Sequence, residues 1–160
     1  MKRTIKYILL GLGGLLLLYA GFIVYSLLTR QVDREIGSNL SISSDWIEIT
    51  PEPPLKARNL TQTVILYIEG YKRDIADTRQ QIIMPNGTVL NPEVQVIDEY
   101  GNVYPLKVGQ WLSNGVGFTR DFDAGSSSKF PQDRTYTKVR IRSDRPFRIS
   151  KVFWECYEPK

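Results

Sequence analysis

The 160-residue sequence predicts an all-β fold, an antiparallel β-sandwich, carried behind a single N-terminal transmembrane helix. Three observations carry that expectation. One uncharged apolar run opens the chain, about eight short runs of β-branched and aromatic residues follow between turn residues, and no later segment repeats its apolar residues at helical intervals. Strands of this kind bury one face each, and two packed antiparallel sheets satisfy such a set.

The apolar run is "YILLGLGGLLLLYAGFIVYSLL", from Tyr7 to Leu28. About 20 apolar residues at 1.5 Å each cross a hydrocarbon core of roughly 30 Å. Tyr7 and Tyr25 lie near its two ends, where aromatic rings prefer the membrane interface. A cleaved secretory signal has a shorter apolar region, about 7 to 15 residues, ahead of a small-x-small site. The following "SLLTRQVDRE" offers no such site, and the single cysteine, Cys156, is far from the position a lipoprotein signal needs. Lys2, Arg3 and Lys6 precede the run, whereas Arg30 and Arg34 after it alternate with Asp33 and Glu35, so the N-terminal side is expected in the cytoplasm. The expected organisation is therefore a basic cytoplasmic tail at 1–6, a signal anchor at 7–28, a polar stalk at 29–44, and an extracytoplasmic domain at 45–160 on the cell membrane. Gly11, Gly14 and Gly21 share one helix stripe that would let two helices approach, although the spacing is not Gly-xxx-Gly.

The strands expected in the outer domain are "WIEI" (46–49), "TVILYIE" (63–69), "QIIM" (81–84), "EVQVID" (93–98), "NVYPLKV" (102–108), "GFTRDF" (117–122), "TKVRIR" (137–142) and "RISKVFWEC" (148–156). In "MPNGT" and "DEYGNV" the glycines Gly87 and Gly101 can take the left-handed conformation that closes a tight turn, and the second joins 93–98 to 102–108 as a hairpin. "TVILYIE" is apolar on both parities, as in a central strand covered on both sides. The penultimate strand alternates instead. Val139 and Ile141 point one way and Lys138, Arg140 and Arg142 the other, giving a half-buried strand with a wet cationic face. On the last strand Val152, Trp154 and Cys156 share one parity, so the thiol is expected in the core beside the indole.

The closing pattern "YTKVRIRSDRPFRISKVFWE" and the opening "DWIEI" resemble the end and start of galactose-binding-like (discoidin-type) jelly rolls. The resemblance covers the strand pattern of residues 45–157 and includes no binding motif. It implies a jelly-roll arrangement of the sandwich. Immunoglobulin-like sandwiches and lipocalin-like barrels share enough of the pattern to stay open.

The chain contains no histidine, which removes the commonest general base, His-activated serine and cysteine nucleophiles, and most catalytic zinc sites. A carboxylate pair drawn from Glu48, Glu69, Asp98, Glu99 and Glu155 would be the basis of any hydrolase, and nothing in their spacing brings two together. No enzyme and no cofactor are expected. Asp121, Asp123 and Asp133 are too few oxygen donors for Ca²⁺, so no metal is expected either. A lone cysteine leaves no internal disulfide. "NLS" at 39, "NLT" at 59 and "NGT" at 86 match the N-glycosylation pattern, relevant only in a host that glycosylates secreted proteins.

Between Lys129 and Lys151 eight cations face only Asp133 and Asp144, an excess of six in a chain whose net charge is +4. Such a region attracts anionic glycans or lipid headgroups by about 1 kcal/mol per cation near a membrane surface. The alternative is that the cations pair with acids on neighbouring strands or guard a sheet edge. The ligand-binding candidates are Trp111, flanked by Gly109 and Gly115 in the "VGQWLSNGVG" loop (108–117), with Lys138, Arg140, Arg142 and Arg148; "DAGSSSKFPQDR" (123–134) is the second long loop. The expected role is a non-catalytic binding or scaffolding module of the cell envelope, with the bilayer, an anionic glycan or headgroup, or a membrane partner protein as contacts. A structural subunit of a membrane complex is the competing role and a carboxylate hydrolase a distant third. An outward-facing domain has no nucleic acid to meet.

Overall fold

The computed structural model describes residues 29–57, 62–73, 81–120, 130–131 and 133–159, together with residues 14, 18–21 and 23–24. Those few positions of the apolar run are helical and exposed. The expected span as a whole, the cytoplasmic tail, Asp121 and Asp123, and most of the 123–134 loop lie outside the described residues. Among the described residues no helix is long and apolar enough to cross a membrane.

In chain order the strands are β1 (Thr29–Ile42), β2 (Ile47–Ile49), β3 (Leu55–Lys56), β4 (Gln62–Ile68), β5 (Ile82–Ile83), β6 (Val89–Leu90), β7 (Pro92–Asp98), β8 (Val103–Trp111), β9 (Gly115–Thr119), β10 (Thr135–Ser143) and β11 (Phe147–Pro159). Each of the eight expected runs contains a strand, although in "GFTRDF" the strand stops at Thr119 and residues 121–122 lie outside the described ones. Nine strands form one antiparallel sheet in the order β1-β11-β4-β9-β8-β7-β10-β2, with β3 also on β10, while β5 and β6 form a small hairpin. The all-β, antiparallel expectation holds. The two walls are not separate sheets, however, because β8 belongs to both.

The first half of β8 pairs with β7, from Val103↔Ile97 to Leu106↔Val94, and its second half pairs with β9, from Lys107↔Thr119 to Trp111↔Val116. A bulge between Val108 and Gln110 accompanies the change, and bulges add the local twist that carries a strand around a corner. The sheet curls until β1 comes alongside β2. At that seam a side chain on Gly37 would lie only 3.2 Å from Ile49 Cδ1. The result is a nearly closed sheet.

Residues 29–44, expected as a stalk, are instead mostly β1, which pairs with β11 from Thr29↔Pro159 to Ile42↔Phe147. Its apolar residues look isolated in sequence because a register shift between Glu35 and Gly37 breaks the alternation. Across that shift Ile36 and Leu40 pack against the core and Ile42 is buried within it. The 108–117 segment, expected as a loop, is likewise the β8–β9 hairpin, closed by Leu112 N–H donating to the Gly115 carbonyl at 3.0 Å.

The core follows the parity reading. Val64 and Leu66 of β4, Val94 and Val96 of β7, Val139 and Ile141 of β10, and Val152, Trp154 and Cys156 of β11 are all buried in one cluster. Phe130 stacks edge-on against Tyr136 at 5.2 Å and Trp154 at 5.5 Å, a geometry ring quadrupoles favour. β4 is buried on both faces apart from half-buried Tyr67, as its two-sided apolar pattern requires. Gly87 (φ 81°) and Gly101 (φ 84°) occupy the left-handed region that the two turns need.

Antiparallel pairing throughout defines two ends. β1, β4, β8 and β10 begin, and β7, β9 and β11 finish, at the near end, where the chain enters from residue 28; the opposite, far end carries the β10–β11 turn and the start of β7.

Candidate functional site

At the far end a cleft of about 500 Å³ opens between the end of β10, the start of β7, the link after β1 and the β5–β6 hairpin. That volume is in the range of small-molecule sites, roughly 300–1,000 Å³. Ile82, Leu90 and Val108 supply apolar lining, and Arg142, Glu93, Asp144, Asn91, Ser44 and Ser143 supply polar groups.

The polar groups are already organised by one another. Arg142 Nη2 donates to both Glu93 carboxylate oxygens at 2.9 and 2.8 Å, and the two residues are direct cross-strand partners. The guanidinium also lies 4.5 Å from the Trp46 ring centroid, which holds its plane. Its Nε is enclosed without a hydrogen-bond partner. Asp144 accepts from Asn91 Nδ2 at 2.9 Å, from Asn91 N–H at 3.3 Å and from Ser143 Oγ at 3.2 Å. Those donors, Asn91 first and nearby Arg145 last, hold its carboxyl below the usual value. Ser143 N–H donates to the Ser43 carbonyl at 2.8 Å, tying the link after β1 to β10. The rim therefore carries one cation against two carboxylates.

Of the five residues expected to bind a ligand, only Arg142 lines this cleft. Lys138 Nζ donates to Glu48 at 2.8 Å, and Arg140 Nη2 donates to the other oxygen of the same carboxylate. The Glu48 carboxyl is accordingly held low, by the Lys138 bond first and the Arg140 bond second. Arg148 pairs with Glu69 at 3.6 Å on the opposite wall, and neighbouring Lys151 pairs with Glu35 at 3.1 Å. The cationic face of β10 is thus a laced face, the alternative weighed for it from sequence. Trp111 is half-buried, packs against the core and carries Arg73 over its ring at 4.7 Å.

Four of the five carboxylates considered for hydrolysis, Glu48, Glu69, Asp98 and Glu99, are engaged elsewhere, and the fifth, Glu155, is buried. Asp98, side chain fully buried, accepts from Tyr100 N–H at 2.9 Å, Asn102 N–H and Nδ2 at 2.8 Å each, Tyr104 Oη at 3.0 Å and Arg134 Nη1 at 3.4 Å. Burial alone would raise its carboxyl, but these donors, Asn102 foremost, outweigh burial and hold it below the usual value. Glu99 accepts from Thr135 N–H at 3.4 Å. Glu155 is buried opposite Asp33, and burial, then the Asp33 charge, pushes its carboxyl up. Cys156 is buried, with Gln62 Nε2 4.0 Å from its sulfur. Among the described residues no group of three or more acids or thiols is placed to hold a metal ion.

Glu93, Asn91 and Asp144 escaped the sequence reading, since each is an ordinary turn or strand-end acid or amide until β10 is set beside β7. The only available signal was the excess of cations on β10, which demands carboxylates on its neighbours. The chain matches no protein-family model, no curated protein and no solved structure.

Proposed function

We propose that this chain is a non-catalytic binding module of the cell envelope, anchored in the membrane by residues 7–28 with its N-terminus in the cytoplasm and its sheet domain outside. The finer architecture belongs to the same proposal: a jelly-roll-like sandwich of the galactose-binding type, whose ligands would sit at the end loops. The observation that carries the reading is the far-end cleft. There an apolar floor of Ile82 and Leu90 meets a dense rim of hydroxyl, amide and ion-paired groups. Alternating apolar and hydrogen-bonding surface suits a polyhydroxylated ligand, a glycan, whose faces alternate in the same way.

Support for an anionic ligand on the strand face is weaker than the sequence suggested. Lys138, Arg140, Arg148 and Lys151 each have a carboxylate partner, and an incoming anion would have to displace it. The cleft rim, with two carboxylates around Arg142, favours an uncharged glycan.

The test is calorimetry of the purified full-length protein in detergent against neutral and anionic oligosaccharides, at low and physiological salt. Binding of a neutral oligosaccharide that ignores salt, disappears in Arg142→Ala and Asn91→Ala, and survives Arg140→Ala is the expected result. Binding confined to anionic sugars, lost with salt and with Arg140→Ala, would return the site to the strand face. No sugar binding, with a membrane protein co-purifying through residues 7–28, would favour the role of a structural subunit.

A further inference from the structure

Apart from positions in the apolar N-terminal run, the large hydrophobic side chains standing exposed among the described residues are Tyr100, 71 % exposed, and Val103, 47 %. Both lie at the tip of the β7–β8 hairpin, and β7 finishes and β8 begins at the near end. That is the end where β1 starts at Thr29, the residue after Leu28. We infer that this tip is a second membrane contact, seating Tyr100 and Val103 at the headgroup level of the bilayer that holds residues 7–28. The inference rests on the anchored reading proposed above.

Two features fit the tip to that role. The first is rigidity: Asp98 gathers the Tyr100 and Asn102 amides, the Tyr104 hydroxyl and Arg134, so the loop is ordered before it meets lipid. The second is the Tyr100–Arg134 pair, with the guanidinium 4.6 Å from the ring centroid. An amphipathic ring capped by a cation matches the boundary between acyl chains and headgroups, where tyrosine concentrates and arginine keeps its charge wet. Exposed Lys56 on β3 lies beside Thr135, while Glu99 and Asp133 offset the cations. With charge balanced, the contact is interfacial insertion of apolar surface and does not need anionic lipid. β1 pairs with β11 from its first residue, Thr29, so in sequence the sheet begins directly after the expected span and the near end is the one beside the bilayer.

The experiment uses full-length protein in phosphatidylcholine nanodiscs, with and without brominated acyl chains. An environment-sensitive fluorophore is placed in turn by Tyr100→Cys, Val103→Cys, the far-end control Arg145→Cys and the anchor control Tyr19→Cys; buried Cys156 stays unlabelled. The expected result is blue-shifted emission at 100 and 103 that brominated lipid quenches, with position 145 unquenched. If 19 is quenched but 100 and 103 behave like 145, the tip inference fails while the anchored reading stands. If 19 is unquenched as well, both fail. Quenching at 145 equal to that at 100 would mean the domain lies on its side and would overturn the proposed pose.

Discussion

Replacing Ile42 by alanine separates a β1 that is part of the sheet wall from a residue 29–44 segment that merely tethers it. Ile42 closes β1, pairs with Phe147 and is 2 % exposed. Ile42→Ala removes three buried carbons, which at about 0.8 kcal/mol each is about 2.4 kcal/mol of lost transfer energy. The cavity left behind adds roughly 24 cal/mol per Å³ that the neighbours fail to fill, so a total of about 3 kcal/mol is expected. In urea, with a slope of about 1–3 kcal/mol per M, the unfolding midpoint of the full-length protein in detergent should fall by about 1–3 M. Ser41→Ala, at the exposed neighbouring position, is the control and should move the midpoint by less than about 0.5 kcal/mol equivalent. A midpoint for Ile42→Ala indistinguishable from that of Ser41→Ala would mean that β1 does not close the core, and the wall and its seam with β2 would fall together.

Glu155→Gln should stabilise the fold at neutral pH. The carboxyl of Glu155 is raised above 4.5 in the folded chain, so the wild type keeps its full stability below that value and loses part of it as pH rises through the folded value; denaturation curves of the two proteins should converge in acid and separate near pH 7. The acids held low, Asp98, Asp144 and Glu48, act in the opposite sense: their stabilisation is present at neutral pH and lost as pH falls through values below the usual carboxylate range, so Asp98→Asn should flatten the acid limb of the stability profile. Gly101→Ala forces a side chain into φ 84° at the hairpin tip and should cost about 1–2 kcal/mol, read as a lower unfolding midpoint with unchanged spectra. Gly115→Ala would bring a Cβ to 2.9 Å from the Leu66 carbonyl oxygen and should cost about 1–3 kcal/mol, since backbone rather than a flexible side chain must give way.

Most of the β-architecture was legible because its signals are local. Alternation in "TKVRIR", two-sided apolarity in "TVILYIE" and the turn glycines Gly87 and Gly101 each depend on a few adjacent residues. β1 was not legible: the register shift between Glu35 and Gly37 and the left-handed Asn39 (φ 53°) break its alternation, so its apolar residues read as scattered. Nor was the single, curled sheet, since partner exchange along β8 depends on a bulge that periodicity does not reveal. For the site, Arg142 was legible as a cation on a wet face, but its meaning was not. Whether Arg140 and Arg142 are free or paired depends on Glu48 and Glu93 lying directly opposite them, a register fact separated by 92 and 49 positions in sequence.

The two ends of the sheet also constrain each other. β1 runs from the near end to the far end over 14 residues. At about 3.3 Å per residue and a tilt near 40°, that is a height of roughly 35 Å. On the anchored reading the cleft beside Ser44 and Arg142 therefore stands several Debye lengths, each about 8 Å, above the headgroups. The surface potential of the protein's own bilayer has decayed there, and its lipids cannot reach the cleft. On the same reading Tyr100 and Val103 would face the membrane at one end and the cleft would face away from it at the other, so the two surfaces would not compete for one ligand. The glycan proposed for the cleft would then approach from outside, some tens of ångströms from the membrane. An anchor that holds one end down while the opposite end carries the binding groups is a presenting device, which is why the glycan titration and the nanodisc quenching must be measured on the same full-length protein.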